Sequence, residues 1–303
     1  MRLGPVVSEG DITMAIHFSP VVASRADGNR GTFSIESIDL DDLGERVSPI
    51  LLLHQFRVSG RPFPPHPHAG FSAVTYVFED SQAGLRSRDS LGNDFTTGPG
   101  GLCWTQAGSG VIHEESPAET GRELHGLQVF VNLSSKHKLA APQVLRLARS
   151  EVPEWRSDAG DRVRVVVGSF EGISSPLVPA EPFTLLDVKL RREISFGFQH
   201  AHNALVYVLE GAVLVRADGR EQKVAGEHAL ALHGGDGRVT FEAVHPAHFL
   251  ILSGAEIREP VIEDGTFIMN ERSQIEAAMA RYRAGEMGHL APLSEFGDHT
   301  KEA

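Results

Sequence analysis

The chain has one cysteine, Cys103, in 303 residues. No internal disulfide can form, which fits a reducing compartment. Nowhere does an apolar run approach the roughly 20 residues that cross a bilayer as a helix, and Met1-Arg2-Leu3-Gly4-Pro5 lacks the apolar core of a secretory signal. A cytoplasmic protein without membrane association is the expectation. Positive charge is also scarce: 28 basic residues face 40 acidic ones, the formal charge is -12, and no basic run of five or more occurs. This excludes direct nucleic-acid binding through an electrostatic footprint and leaves contact with a protein partner open. Aromatic residues make up only 7%, against 31 glycines and 17 prolines. With 41% hydrophobic residues the composition is globular, and the length suits one large or two ordinary domains. Cys103 stands beside Trp104 in an apolar setting and reads as a small buried hydrophobe.

From Thr32 onward short apolar runs alternate with turn residues. Phe33-Ser34-Ile35, Ile50-Leu51-Leu52-Leu53 and Val74-Thr75-Tyr76-Val77-Phe78 are brief, β-branched or aromatic, and bounded by Gly, Pro, Ser and Asp, which makes them strands. Ser24 to Gly31, Arg88 to Asn93 and Gly98 to Gly101 read as turns. Residues 1–135 form a first block, ended by the alternating run Gly126 to Leu133. Residues 136–161, with Lys136, Lys138 and two prolines, read as an exposed connection with at most a short helix. The second block, 162–303, returns to strands at Val163–Val167, Phe183–Val188, Ala204–Leu209 and His248–Leu252. Tyr76-Val77-Phe78-Glu79-Asp80 is echoed by Tyr207-Val208-Leu209-Glu210-Gly211, which suggests two similar barrels from one duplicated plan. Ile275, Met279 and Tyr282 then fall at helical spacing, with Asn270 as N-cap and Gly285 just past the end. The expected fold is therefore all-β, two consecutive barrels closed by a short C-terminal α-helix that acts as a packing clamp.

Two stretches carry chemistry: Pro65-His66-Pro67-His68-Ala69-Gly70 and Gly108-Ser109-Gly110-Val111-Ile112-His113-Glu114-Glu115. Side chains alternate faces along an extended chain, so His66 and His68 point one way, as do His113 and Glu115. Set side by side across a small barrel, the two strands bring three imidazoles and one carboxylate to one point. That set suits a divalent first-row metal, iron above all, and a six-coordinate ion would keep about two positions open for water or substrate. A His-x-His alone is common in a chain with 15 histidines, but the second pair repeats the spacing about 45 residues on, a plausible return distance for a strand meander. By the same alternation Glu114 faces away. His200 and His202 form another His-x-His, yet no His-x-Glu follows it, and a solvated or core pair is the default.

The runs His66-Pro67-His68-Ala69-Gly70-Phe71, Arg88-Asp89-Ser90-Leu91-Gly92, Gly98-Pro99-Gly100 through Trp104, and His113-Glu114-Glu115-Ser116-Pro117 strongly resemble the pirin family. So do His202 to Gly211, Glu259-Pro260-Val261 and Phe267-Ile268-Met269-Asn270, and the match covers roughly residues 50 to 285. The resemblance implies a bicupin, two cupin-type barrels, with one metal in the N-terminal barrel on His66, His68, His113 and Glu115. It implies Fe(II) as the usual metal, with Mn, Co, Ni, Cu or Zn as alternatives. The activity it suggests is quercetin 2,3-dioxygenase, which opens a flavonol ring with O2 and releases carbon monoxide. In that reading Glu115 is a ligand at rest and a catalytic base on the substrate hydroxyl, while Phe56 and Phe71 are candidates to line a dry pocket. The alternative is a metal-dependent regulatory protein without turnover, a transcriptional cofactor or redox and iron sensor with a protein partner. Two departures bear on the substrate rather than the metal: Leu53-His54-Gln55-Phe56 stands where many pirins read Leu-Asp-His-Phe, and Ser87 replaces a frequent histidine.

Overall fold

A computed structural model describes residues 15–29, 31–44 and 47–293; the opening residues Met1–Pro5 lie outside them. In chain order the first half carries β1 (Ile16–Ala23), β2 (Arg25–Asn29), β3 (Phe33–Ser37), β4 (Ile50–Val58), β5 (His66–His68), β6 (Phe71–Val77), β7 (Leu85–Asp89), β8 (Asp94–Thr97), β9 (Leu102–Gln106), β10 (Val111–Pro117), β11 (Leu124–Asn132) and β12 (Gln143–Leu147). The second half adds β13 (Glu154–Arg156), β14 (Arg162–Val167), β15 (Ser169–Phe170), β16 (Ile173–Ser174), β17 (Phe183–Leu190), β18 (Glu193–Phe198), β19 (His202–Ala217), β20 (Arg220–Ala225), β21 (His228–Gly234), β22 (Gly237–Ala255), β23 (Ile262–Asp264), β24 (Phe267–Met269) and the helix α1 (Arg272–Arg283).

The duplicated plan is visible in the sheets. The first half forms a sheet in the order β12-β9-β6-β11-β4-β3-β2, and the second half repeats it as β1-β21-β19-β22-β17-β14-β13. Alternation decides what each face does. Along β11, Leu127, Val129 and Val131 are buried in a core shared with Leu205, Tyr207, Leu250 and Leu252 of the other half, so the two large sheets pack against each other. Gln128 and Phe130, the residues between them, face a cavity inside the first barrel instead. The repeated tyrosines stitch this interface: Tyr76 donates its hydroxyl to Asp187 (2.5 Å), and Tyr207 donates to Gln55 (2.8 Å). In the second barrel the interior is filled by an apolar cluster that includes Ile194, Phe196, Val239 and Phe241.

Four expectations change. Ser24 to Gly31 is not simply a turn, since β2 pairs with β3 there; it is the outermost strand of its sheet, a position where charge and glycine are tolerated. The segment 136–161 is not merely an exposed connection. It supplies β12, which pairs with β9, and it buries Lys138 completely. Conversely β1 leaves the first half and pairs antiparallel with β21 of the second. The helix starts after Glu271, not Asn270, because the Gln274 side chain accepts the backbone N–H of both residues (3.0 and 3.1 Å). Gly285, at φ +76, follows its end. Ile275 and Ala278 are its buried residues, whereas Tyr282 is 41% exposed.

Candidate metal centre

In the second layer of the first barrel, ordered β5-β10-β7-β8, β5 and β10 run antiparallel with His113 opposite His66 and Val111 opposite His68. His66, His68 and His113 therefore project from one face. The His66 Nε2 atom lies 3.1 Å from His68 Nε2 and 3.2 Å from His113 Nε2. Three ring nitrogens that close cannot all be donors to one another; neutral imidazoles aimed at one point present lone pairs to a cation. Two nitrogens bound to one ion at about 2.1 Å lie roughly 3.0 to 3.4 Å apart, and the observed spacings fall in that range. Burial lowers the proton affinity of all three rings. It takes His68 down to about 3, with the neighbouring His66 charge adding to the effect, and it takes His113 well below the usual imidazole range. His66 is lowered as well, against a hydrogen bond between its Nδ1 and the Pro64 carbonyl (2.9 Å).

Glu115 lies in the same cavity but outside the group of ligand atoms within 4.8 Å of one another, which comprises the three histidines. Its Oε2 is 2.7 Å from Thr75 Oγ1, which is also 3.1 Å from Gln128 Oε1, while Gln128 Nε2 donates to the Val74 carbonyl (3.3 Å). Thr75 donates its hydroxyl proton to the Glu115 carboxylate, which favours the charged form, but burial outweighs this and pushes the carboxyl up to about 7. Glu114 faces away as alternation requires and pairs with Arg88 (2.8 Å).

The loops that flank the ligands are held by close backbone approaches. Gly70, at φ +88, donates its N–H to the Gly108 carbonyl (2.8 Å), and a Cβ there would sit 1.8 Å from the Ile268 carbonyl oxygen. Gly108 is similar, with a Cβ position 2.2 Å from the Ala140 carbonyl. Neither residue can be replaced without moving a ligand strand.

The histidines open into a cavity of about 480 Å³ whose walls include Phe33, Leu52, Phe56, Phe63 and Phe130, with His54 and Gln128 among them. Phe56 thus lines the pocket. Phe71 does not: fully buried, it packs its ring against that of His68 (5.0 Å). A larger cleft, about 660 Å³, lies between the barrels and is walled by polar groups such as His125, whose Nδ1 is hydrogen-bonded to Asp80 (2.9 Å). His200 is exposed and His202 sits in a third, smaller cavity of about 250 Å³. Sequence reasoning missed Thr75, Gln128 and Lys138, although Thr75 was detectable as the strand position alternating with Tyr76.

Residues 35–131 match the Pirin family profile, and residues 185–288 match that of the Pirin C-terminal cupin domain. The chain belongs to the pirin family. Human Pirin is 34% identical over 254 residues, which cover 80% of this chain and 84% of the human protein. A Pseudomonas aeruginosa pirin relative, provisionally named a quercetin 2,3-dioxygenase, is 33% identical over 253 residues, 80% of this chain and 87% of its own. The crystal structure of a quercetin 2,3-dioxygenase from Acinetobacter baumannii superposes with a TM-score of 0.79 at 26% identity, covering 91% of this chain and 100% of that one. The architecture is accordingly that of a bicupin, mostly strand, with one short C-terminal helix among the described residues. Among those residues no helix is long and apolar enough to cross a membrane. Metal binding belongs to this fold family, and the neutral histidine trio of this pirin fits it.

Proposed function

We propose that this family member is a metal-dependent dioxygenase of the quercetin 2,3-dioxygenase type, with Fe(II) as its native metal. The observation that carries the reading is the convergence of three neutral imidazoles and a buried carboxyl group in one cavity with aromatic walls. His66, His68 and His113 would hold the metal, with Glu115 as fourth ligand at rest. The bound ion would supply Lewis acidity and an electron path between substrate and O2.

The chain's own residues do the rest. A flavonol enters between Phe33, Phe56 and Phe63, whose apolar faces displace water from the reacting centre. Glu115 takes the proton of the flavonol hydroxyl, a task for which a carboxyl held up at about 7 is well matched near neutral pH. Thr75 holds that carboxyl by its Oε2 and so fixes the direction from which it works. The flavonol and O2 are then consumed together, the ring opening with loss of carbon monoxide.

The test is oxygen uptake with quercetin by the iron-loaded protein, run beside His66→Ala and Glu115→Gln, with the metal content of each preparation measured. Uptake and carbon monoxide are expected from the parent. His66→Ala should lose metal and turnover together, whereas Glu115→Gln should keep metal and lose at least about 100-fold in rate, the usual contribution of a positioned base. No uptake from a protein holding one iron per chain would overturn the reaction and leave the regulatory reading, in which the metal is sensed and a surface is offered to a partner protein.

A further inference from the structure

We infer that His54 is a specificity-determining residue, selecting flat aromatic ligands whose ring remote from the metal centre bears a phenolic hydroxyl or a carboxylate. The inference rests on the cavity being the substrate site, as proposed above. Its basis is a polar rung in an otherwise apolar wall. In the large sheet of the first barrel Cys103, Thr75, Gln128 and His54 are consecutive cross-strand partners, one residue from each of β9, β6, β11 and β4. Cross-strand partners share a face, with Cβ atoms about 5 Å apart, and both Gln128 and His54 line the cavity. Two residues either side of His54 along β4, Leu52 and Phe56 line it too and are apolar.

The histidine trio stands on the opposite layer, on β5 and β10. Phe130 of β11 packs its ring on His68 (5.6 Å) and β4 is the next strand, so a planar ligand whose oxygen atoms sit at that trio would run along the β11–β4 wall toward His54. There it meets an imidazole beside an amide. An imidazole can donate and accept, so it serves a hydroxyl or a carboxylate where hydrocarbon would serve neither. Sites built around a buried polar group reject analogues that lack its partner far more strongly than apolar sites reject an added group.

The test uses nickel-loaded protein, so that binding is read apart from iron-dependent turnover. Calorimetric titrations would compare 3-hydroxyflavone with its 4′-hydroxy and 4′-carboxy derivatives. The parent should bind the substituted ligands about tenfold more tightly, the value of one hydrogen bond to a charged or strongly polar group. His54→Leu should collapse that ratio to near one. His54→Asp should keep the hydroxyl preference and turn the carboxylate preference into rejection. Equal affinities in the parent, or a ratio preserved in His54→Leu, would overturn the inference. A His54-dependent ratio in a protein whose iron-loaded form consumes no oxygen would support the inference while removing the dioxygenase reading. Absence of binding by all three ligands would remove both.

Discussion

Burial acts in opposite directions on the ionisable groups around the metal centre. It lowers the proton affinity of the histidines and raises that of Glu115. The consequence for stability has a definite sign. His68 titrates near 3 in the folded protein instead of 6.5, so its contribution is complete above pH 6.5 and is lost as pH falls, because the unfolded chain takes up a proton that the folded one refuses. At pH 4 this single residue should cost the metal-free protein about 3 kcal/mol. Glu115, raised above its ordinary 4.5, works the other way: its contribution is complete below that value and is lost as pH rises through about 7. Denaturant unfolding of metal-free protein at several pH values should show the acid loss, and His68→Gln should reduce it, leaving the part due to His66 and His113. The three histidines were legible in the sequence because alternation along a strand is a local rule. The retracted carboxyl of Glu115 was not, because Thr75, 40 residues away, sets it.

At the scale of elements, the ligand strand β5 is secured by segments remote in sequence. Ala69 donates its N–H to Thr266 (3.4 Å) and accepts from Ile268 (3.0 Å), which lays the β23–β24 hairpin alongside it. Lys138 completes the tie, its ammonium donating to Gly70 (2.9 Å), Asn132 (2.6 Å) and Ile268 (3.3 Å) from a fully buried position. Further on, Ser90 donates to the Met287 carbonyl (2.6 Å) and Arg281 to that of Ser109 (2.9 Å), so the C-terminal segment touches the turn after β7 and the loop that leads into β10 and His113. Lys138→Met should leave three oxygens without their donor and lower stability by about 3 kcal/mol. Nickel affinity, measured calorimetrically under conditions where the variant remains folded, should fall with it, since Gly70 is two residues from His68. A variant that lost stability and bound nickel as the parent does would sever the tie from the site. None of this could be read from composition, where a lysine near prolines signals solvent; its burial is a tertiary outcome.

For the molecule as a whole, the two barrels are joined by buried charge as well as by apolar packing. Asp187, 1% exposed, accepts from Tyr76 and His248 and lies 3.9 Å from Arg164, which is itself buried and bonded to Tyr76 and to the Gly100 carbonyl. Removing one member of such a group leaves the others uncompensated. Asp187→Ala should cost about 3–5 kcal/mol, and scanning calorimetry should show one transition for the parent and a broadened or split one for the variant as the barrels lose their coupling. The duplication behind this interface was legible, because Tyr76 and Tyr207 sit in echoing strings and occupy matching places in the two sheets. The traded edges were hidden, since β1 and β12 resemble any other short strand and only the finished sheets reveal which partner each takes.

That exchange has a consequence for biosynthesis. β12 meets β9 soon after both have left the ribosome, but Ala23 at the end of β1 must wait for His228, about 205 residues later. At translation speeds of about 5–20 residues per second the interval is on the order of 10–40 s. Once β12 has joined β9, the nascent chain carries β1 unpaired beside the first sheet until β21 is made, and Ile16 and Val22 lack their final partners for all of that time.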